Sequence, residues 1–251
     1  MKADWKRTCL LLLLGGPTVL WGCSGDDGGT GPDLGGDITL PLAVGNAWYY
    51  TTRVDTTSGF AAGAPDSATI TSTETFDGET YFELDWEVDE DFDALYFRQA
   101  GQEVWLVPVF GEIVPGGSDL EAFLEDLAET FPWKFADFDA QAGTDWTAAD
   151  VSGTVVVDVF GELDVHVTAA GSSLGRGTVQ VPAGTYEDAY SGTFRLEYNA
   201  TGPGFLFTSS ATYTMSVAGG VGIVKIQSSA PDLLGGGTIT STSDLTGYSL
   251  N

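Results

Sequence analysis

Apolar and polar residues alternate one by one along most of the chain beyond residue 39, and a period of two admits little except β-strands with one buried and one wet face. The clearest run is 81–89, where Phe82, Leu84, Trp86 and Val88 share one parity while Tyr81, Glu83, Asp85, Glu87 and Asp89 share the other. A slip of one residue would bury the carboxylates, so the register is strongly specified. Tyr190, Phe194, Leu196 and Tyr198 alternate with polar residues in the same way, and Phe205, Phe207, Ala211, Tyr213, Met215 and Val217 alternate with a row of Ser and Thr. Further strands are expected near 47–54, 67–76, 94–98, 103–108, 153–160, 163–169, 177–181, 221–227 and 237–245. Turns are expected at Asp77-Gly78 and Phe160-Gly161-Glu162.

The expected fold is therefore all-β and mainly antiparallel: a single domain over 39–251 built as a curved sheet, half-barrel or sandwich. One short helix is expected at 118–130, where Ser118 and Glu121 form a capping box and Leu120, Phe123, Leu124, Leu127 and Phe131 recur at helical spacing before Pro132. Its apolar stripe would pack over one end of the sheet. The stretch from Phe131 to Asp150 reads as irregular and divides two meanders.

The N-terminus carries an address. Lys2, Lys6 and Arg7 precede an apolar run from Leu10 to Leu14 that continues through Val19 and Leu20, the plan of a secretory signal over residues 1–22. The run is too short and too broken by Gly15, Gly16 and Pro17 to span a bilayer as a helix. Its end, Leu20-Trp21-Gly22-Cys23, resembles the lipobox of bacterial lipoproteins. That resemblance implies acyl chains on Cys23, cleavage before it, and a membrane as partner through the lipid anchor. Two or three acyl chains hold a protein stably where one does not. Cys9 would leave with the signal, so no disulfide is expected in the mature chain. Residues 23–38 form a Gly- and Asp-rich tether, and its 14 residues from Ser24 to Asp37 would span about 20 Å as a flexible coil. Ser24 in place of aspartate favours the outer membrane. The acidic pair Asp26 and Asp27 resembles runs that send some lipoproteins to the cell surface, and a plain solvated linker is the alternative.

Three short motifs resemble, in order, a broad group of bacterial envelope lipoproteins, some labelled TapB-like. They are Pro41-Leu42-Ala43-Val44-Gly45-Asn46-Ala47-Trp48-Tyr49-Tyr50, Val181-Pro182-Ala183-Gly184-Thr185-Tyr186 and Gly220-Val221-Gly222-Ile223-Val224-Lys225. The resemblance implies an envelope β-domain and brings no catalytic residue with it; residues 87–150 are unmatched. Each motif also reads as structure, with glycines at turns or close approaches and Pro182 at a strand end.

Charge narrows the function further. Asp and Glu number 36 against 9 Lys and Arg, a net of −27, and loss of residues 1–22 takes the net to −29. No basic patch is available for nucleic acid. His166 is the single histidine and lies on a polar parity, with no Gly-x-Ser-x-Gly elbow elsewhere, so neither a zinc set nor a triad is supported. Among the acids between Asp85 and Asp93, a turn placing Asp89, Asp91 and Asp93 together could gather oxygens around Ca²⁺, although the spacing is not that of an EF-hand. No other cofactor is expected.

The first functional reading is a non-enzymatic envelope lipoprotein whose acidic β-domain serves binding, assembly or surface structure. The second is a carrier of lipid or lipoprotein, its apolar cavity lined by Trp86, Phe194, Phe207, Tyr213 and Met215; a hydrolase is the third. Self-repulsion at this charge predicts a midpoint temperature that rises from low to moderate NaCl. Thermal unfolding across a salt series checks it, and a further rise with CaCl₂ at matched ionic strength reports a bound cation.

Overall fold

The computed structural model describes residues 36–56, 59–61, 65–86, 92–110, 123, 126–157, 161–231 and 237–251. Among the described residues, thirteen strands form one antiparallel sheet: β1 (Ala47–Thr56), β2 (Gly59–Ala61), β3 (Pro65–Phe76), β4 (Glu79–Trp86), β5 (Phe92–Ala100), β6 (Glu103–Phe110), β7 (Trp133–Asp137), β8 (Asp145–Val157), β9 (Gly161–Val181), β10 (Gly184–Gly202), β11 (Phe205–Ala218), β12 (Gly222–Pro231) and β13 (Thr238–Ser249). From β1 the sheet runs through β3, β4, β5 and β6 to β7 on one side, and through β13, β12, β11, β10 and β9 to β8 on the other; β2 adds only to β1. The order round the sheet is the order along the chain, a meander curled into a nearly closed barrel. First and last long strands pair directly, Ala47 with Ser249 through Asp55 with Thr240. The seam lies between β7 and β8, where the Trp146 indole N–H donates to the Lys134 carbonyl at 2.7 Å.

Strand parity sends apolar residues inward. Trp48, Tyr50, Ala68, Ile70, Leu84, Phe97, Met215, Val217 and Leu245 belong to one buried cluster, and Phe123, Leu127, Trp133, Val167, Phe194 and Leu196 to a second; Phe135 packs against both. Phe123 and residues 126–128 are helical, and the Phe123 ring lies over Gly153 of β8. Glu129 and Thr130, expected in the 118–130 helix, form a turn, and residues 118–122, 124 and 125 fall outside the described ones. Asp77 and Gly78 take φ of 52° and 83°, the paired left-handed conformation of a two-residue hairpin that joins β3 to β4.

One end of the barrel is closed by chain folded across it. Residues 36–46 enter there: Ile38 is buried, its N–H donates to Gln102 Oε1 at 3.0 Å, and the Leu40 N–H donates to Gln99 Oε1 at 2.7 Å. The Gly220 N–H donates to the Thr39 carbonyl at 2.8 Å, tying this strap to the β11–β12 turn. The tip of the β9–β10 hairpin also folds in, its Ala183 N–H donating to the Leu245 carbonyl of β13 at 2.9 Å. The Trp48 indole N–H reaches the Val221 carbonyl at 2.5 Å, and a Cβ on Gly222 would meet that indole at 2.9 Å. The three sequence motifs, far apart in the chain, thus meet at this sealed end.

Several expectations are corrected. Residues 131–150 are not irregular: they hold β7 and the start of β8. β7 escaped notice because a bulge between its pairings with Val104 and Trp105 puts both Trp133 and Ala136 inside, breaking the parity within five residues. The two strands expected at 163–169 and 177–181 are one 21-residue strand, β9, whose glycines serve packing and bending: Gly171 lies under the Trp146 ring, and Gly175 takes φ of 86°. Gly161 and Glu162, expected in a tight turn, are already paired in β9, and Phe160 lies outside the described residues. Tyr81 has the outward parity expected yet is buried, covered by Phe76 at 5.4 Å and by the Arg98 guanidinium at 5.5 Å.

The Trp48 contact makes Gly222 a sharp test, because its φ of 104° and the indole both oppose a side chain. Gly222→Ala is expected to cost about 2–4 kcal/mol by urea unfolding. Gly78→Ala, at φ 83° with nothing within 4 Å, carries conformational strain alone and is expected to cost about 1 kcal/mol.

Candidate functional site

Inside the barrel a strongly polar group is built by residues of inward parity on four strands. Thr52 (β1), Asp66 (β3), Trp86 (β4) and Ser243 (β13) converge: the Thr52 hydroxyl lies 3.1 Å from Asp66 Oδ2 and 2.8 Å from the Ser243 hydroxyl, and the Trp86 indole N–H donates to Asp66 Oδ2 at 2.9 Å. Asp66, Thr52 and Ser243 are all buried. A carboxylate taken from water is costly unless donors replace its hydration, and the hydroxyl and indole offset part of that cost. The Tyr50 ring stacks on Trp86 with centroids 5.2 Å apart, and its hydroxyl donates to the Ile223 carbonyl at 2.9 Å. Burial, and then the nearby Asp66 charge, push the Tyr50 hydroxyl far above the ordinary tyrosine range. As chemistry, the group is a polar clamp joining both sides of the β1–β13 closure.

Between this clamp and the strap lies an apolar void of about 40 Å³, lined by Leu40, Trp48, Tyr50, Trp86, Phe97 and Met215 among others. Ordinary ligand pockets measure about 300–1,000 Å³. The void has no room for an acyl chain.

Of the five residues expected to line a carrier cavity, the structure brings Trp86 and Met215 to this void. Phe194 belongs to the second cluster, its ring 6.1 Å from Trp133 and 5.1 Å from Phe135. Tyr213 is half-buried opposite Phe194 on β11, and Phe207 is half-buried farther along the same strand, opposite Ala200. The five do not enclose one space. Asp89 and Asp91 fall outside the described residues, as does Cys23, and Asp93 lies in β5. Among the described residues, no three His, Cys, Asp or Glu side chains are placed to hold a metal.

His166 sits on the outer face of β9, with Nε2 2.7 Å from Asp150 Oδ1 and both side chains exposed. Its cross-strand neighbours are Ser152 and Asn199. This is an open surface pair with no cleft to exclude water. Sequence reading missed Asp66 by one position, because the strand was expected to begin at Ser67. The available signal was its shared parity with Ala68 and Ile70.

No protein-family model matches the chain, and no curated protein matches it. Three solved structures resemble it. A protein of Parabacteroides distasonis provisionally described as a lipoprotein shares 11% identity over 85% of this chain and 99% of that one, with a TM-score of 0.45. An exported protein of Bacteroides fragilis with a YmcC-like fold shares 12% identity over 85% and 99%, with a TM-score of 0.42. The hypothetical lipoprotein YmcC of Escherichia coli shares 10% over 81% and 87%, with a TM-score of 0.28. At such distances the function is argued from the chain's own residues.

The Tyr50 environment makes a pH prediction. Below about pH 10 the hydroxyl is protonated both folded and unfolded, and its stabilisation is present in full. Above that, the unfolded chain gives up the proton while the buried hydroxyl keeps it, so stability falls as pH rises. Tyr50→Phe is expected to cost about 1 kcal/mol at pH 7 through the lost hydrogen bond. It should also make the alkaline decline between pH 10 and 12 shallower, as read by denaturant unfolding at each pH; Tyr186 and Tyr190, whose burial raises them too, sustain the rest.

Proposed function

We propose that the chain is a bacterial envelope lipoprotein, held by acyl chains on Cys23, whose acidic β-barrel acts by binding or by structure and not by catalysis. The lipobox Leu20-Trp21-Gly22-Cys23 behind a cationic and apolar start carries this reading. The arrangement of the barrel supports it: apolar side chains fill the inside, while the outside bears Ser, Thr and charged residues. That is the reverse of a barrel whose outer wall meets lipid. No helix among the described residues is long and apolar enough to cross a membrane. An anchor outside the fold accounts for membrane attachment without either. Ser24 and the acids after it favour the outer membrane as the address. A non-catalytic role is supported by a closely filled interior and by a single histidine held on an open outer face.

Cells expressing the chain and fed labelled palmitate are expected to incorporate it, and globomycin should leave an uncleaved precursor. Cys23→Ser should abolish the label. A wild-type mature form that is soluble and unlabelled overturns the reading.

A further inference from the structure

The sealed end of the barrel is unevenly charged. Around the start of β1 and the end of β13 it is made from residues 38–52, 177–186, 216–224 and 245–251, and none of these stretches contains an Asp, Glu, Lys or Arg, in a chain that is 18% charged. Acids at the same end, including Asp37, Glu79, Glu103, Asp137, Asp145 and Asp188, come from the strap and from β4, β6, β7, β8 and β10. Several are engaged: Arg98 pairs with Glu79, Lys134 with Glu103 and Asp137, and Arg176 with Asp188. The charge-free corner also exposes apolar and aromatic surface. Val44 is 52% exposed, Tyr49 48% and Tyr248 44%. Two of the three are tyrosines, a residue enriched where a membrane meets water because its ring is apolar and its hydroxyl is wet.

The chain outside the fold leads to this end. Arg176 donates to the Gly36 carbonyl at 3.0 Å, and Ile38 is buried two residues later, so the fold begins firmly at the sealed end. Only 12 residues, 24–35, separate Gly36 from Cys23. Twelve residues reach at most about 40 Å. A mature chain of net charge −29 whose domain is kept this close to a bilayer is repelled by anionic headgroups wherever it presents carboxylates. Its charge-free corner can approach at little electrostatic cost. Three exposed side chains bind a bilayer weakly by themselves, but a leash this short supplies the high local concentration at which weak contacts form.

We infer that Val44, Tyr49 and Tyr248 form a docking corner that rests on the headgroup region of the bilayer holding the anchor, with the barrel tilted so that its acidic side stands away. The inference rests on the lipoprotein reading of Cys23. It orients the molecule: the opposite end, where Leu206 at the start of β11 is 76% exposed, faces away from the membrane.

The test uses the acylated full-length protein reconstituted into phosphatidylethanolamine and phosphatidylcholine vesicles, with an environment-sensitive fluorophore on Val44→Cys or, separately, on Leu206→Cys. Palmitate incorporation is verified first. The probe at 44 is expected to shift to the blue and to be quenched by a nitroxide phospholipid, while the probe at 206 reports water in both measurements. Adding Tyr49→Asp and Tyr248→Asp to Val44→Cys should abolish the shift and the quenching. If the palmitate-labelled protein shows the same aqueous signal at 44 and 206, the docking corner is overturned and the anchor stands. A protein without palmitate overturns both.

Discussion

The ladder between β12 and β13 runs from Pro231 opposite Thr238 to Lys225 opposite Asp244, and stops there. Past that point the Val221 and Ile223 carbonyls have no partner strand on the β13 side, and a buried carbonyl left unpaired is costly. Trp48 and Tyr50, neighbours in parity on β1, reach across and donate to them. This exchange of a ladder for two side chains lets the sheet part at one end while staying paired at the other. The opening admits the β9–β10 hairpin tip, and Gly222 admits the indole that guards it. Strap, hairpin tip and turn then shut the barrel through main-chain hydrogen bonds and the Gln99 and Gln102 side chains instead of a separate plug.

The clamp around Asp66 sits on the other side of the same closure. Thr52 and Ser243 come from the first and last long strands, and Asp66 and Trp86 tie in the next two. A buried carboxylate is a poor source of net stability, but it is intolerant of misregistration: a slip of one residue in β1 or β3 would withdraw its donors. The clamp therefore specifies alignment across a join that a meander of alternating Thr and Ser residues would otherwise specify weakly.

Much of this was legible in the chain. Strict alternation over 190–199 and 205–217 announced the long strands β10 and β11, and Asp77-Gly78 announced its hairpin. The motifs around Trp48, Gly184 and Gly222 read as turns and close approaches, and the structure shows what they approach. What alternation could not show is any place where it lapses. β7 was hidden by a bulge within five residues, and β9 was split by glycines that look like a loop but exist to let Trp146 lie flat. Tyr81 obeyed its outward parity and was buried nonetheless, because Phe76 and Arg98 shield it on the outside of the sheet. The clamp was missed for want of one residue at a strand start, the least certain boundary in any such reading.

The pairing of β1 with β13 has a temporal consequence. Thr52 waits for Ser243, 191 residues later, before its edge of the sheet is covered. During synthesis β1 is an unsatisfied strand with nothing native to join on that side, open to pairing with another copy of itself. Loop closure over such a span makes folding slow, and cooperative only once the last strand is available. A chain built this way condenses late, and it is vulnerable to any interruption that leaves it short of its last strand.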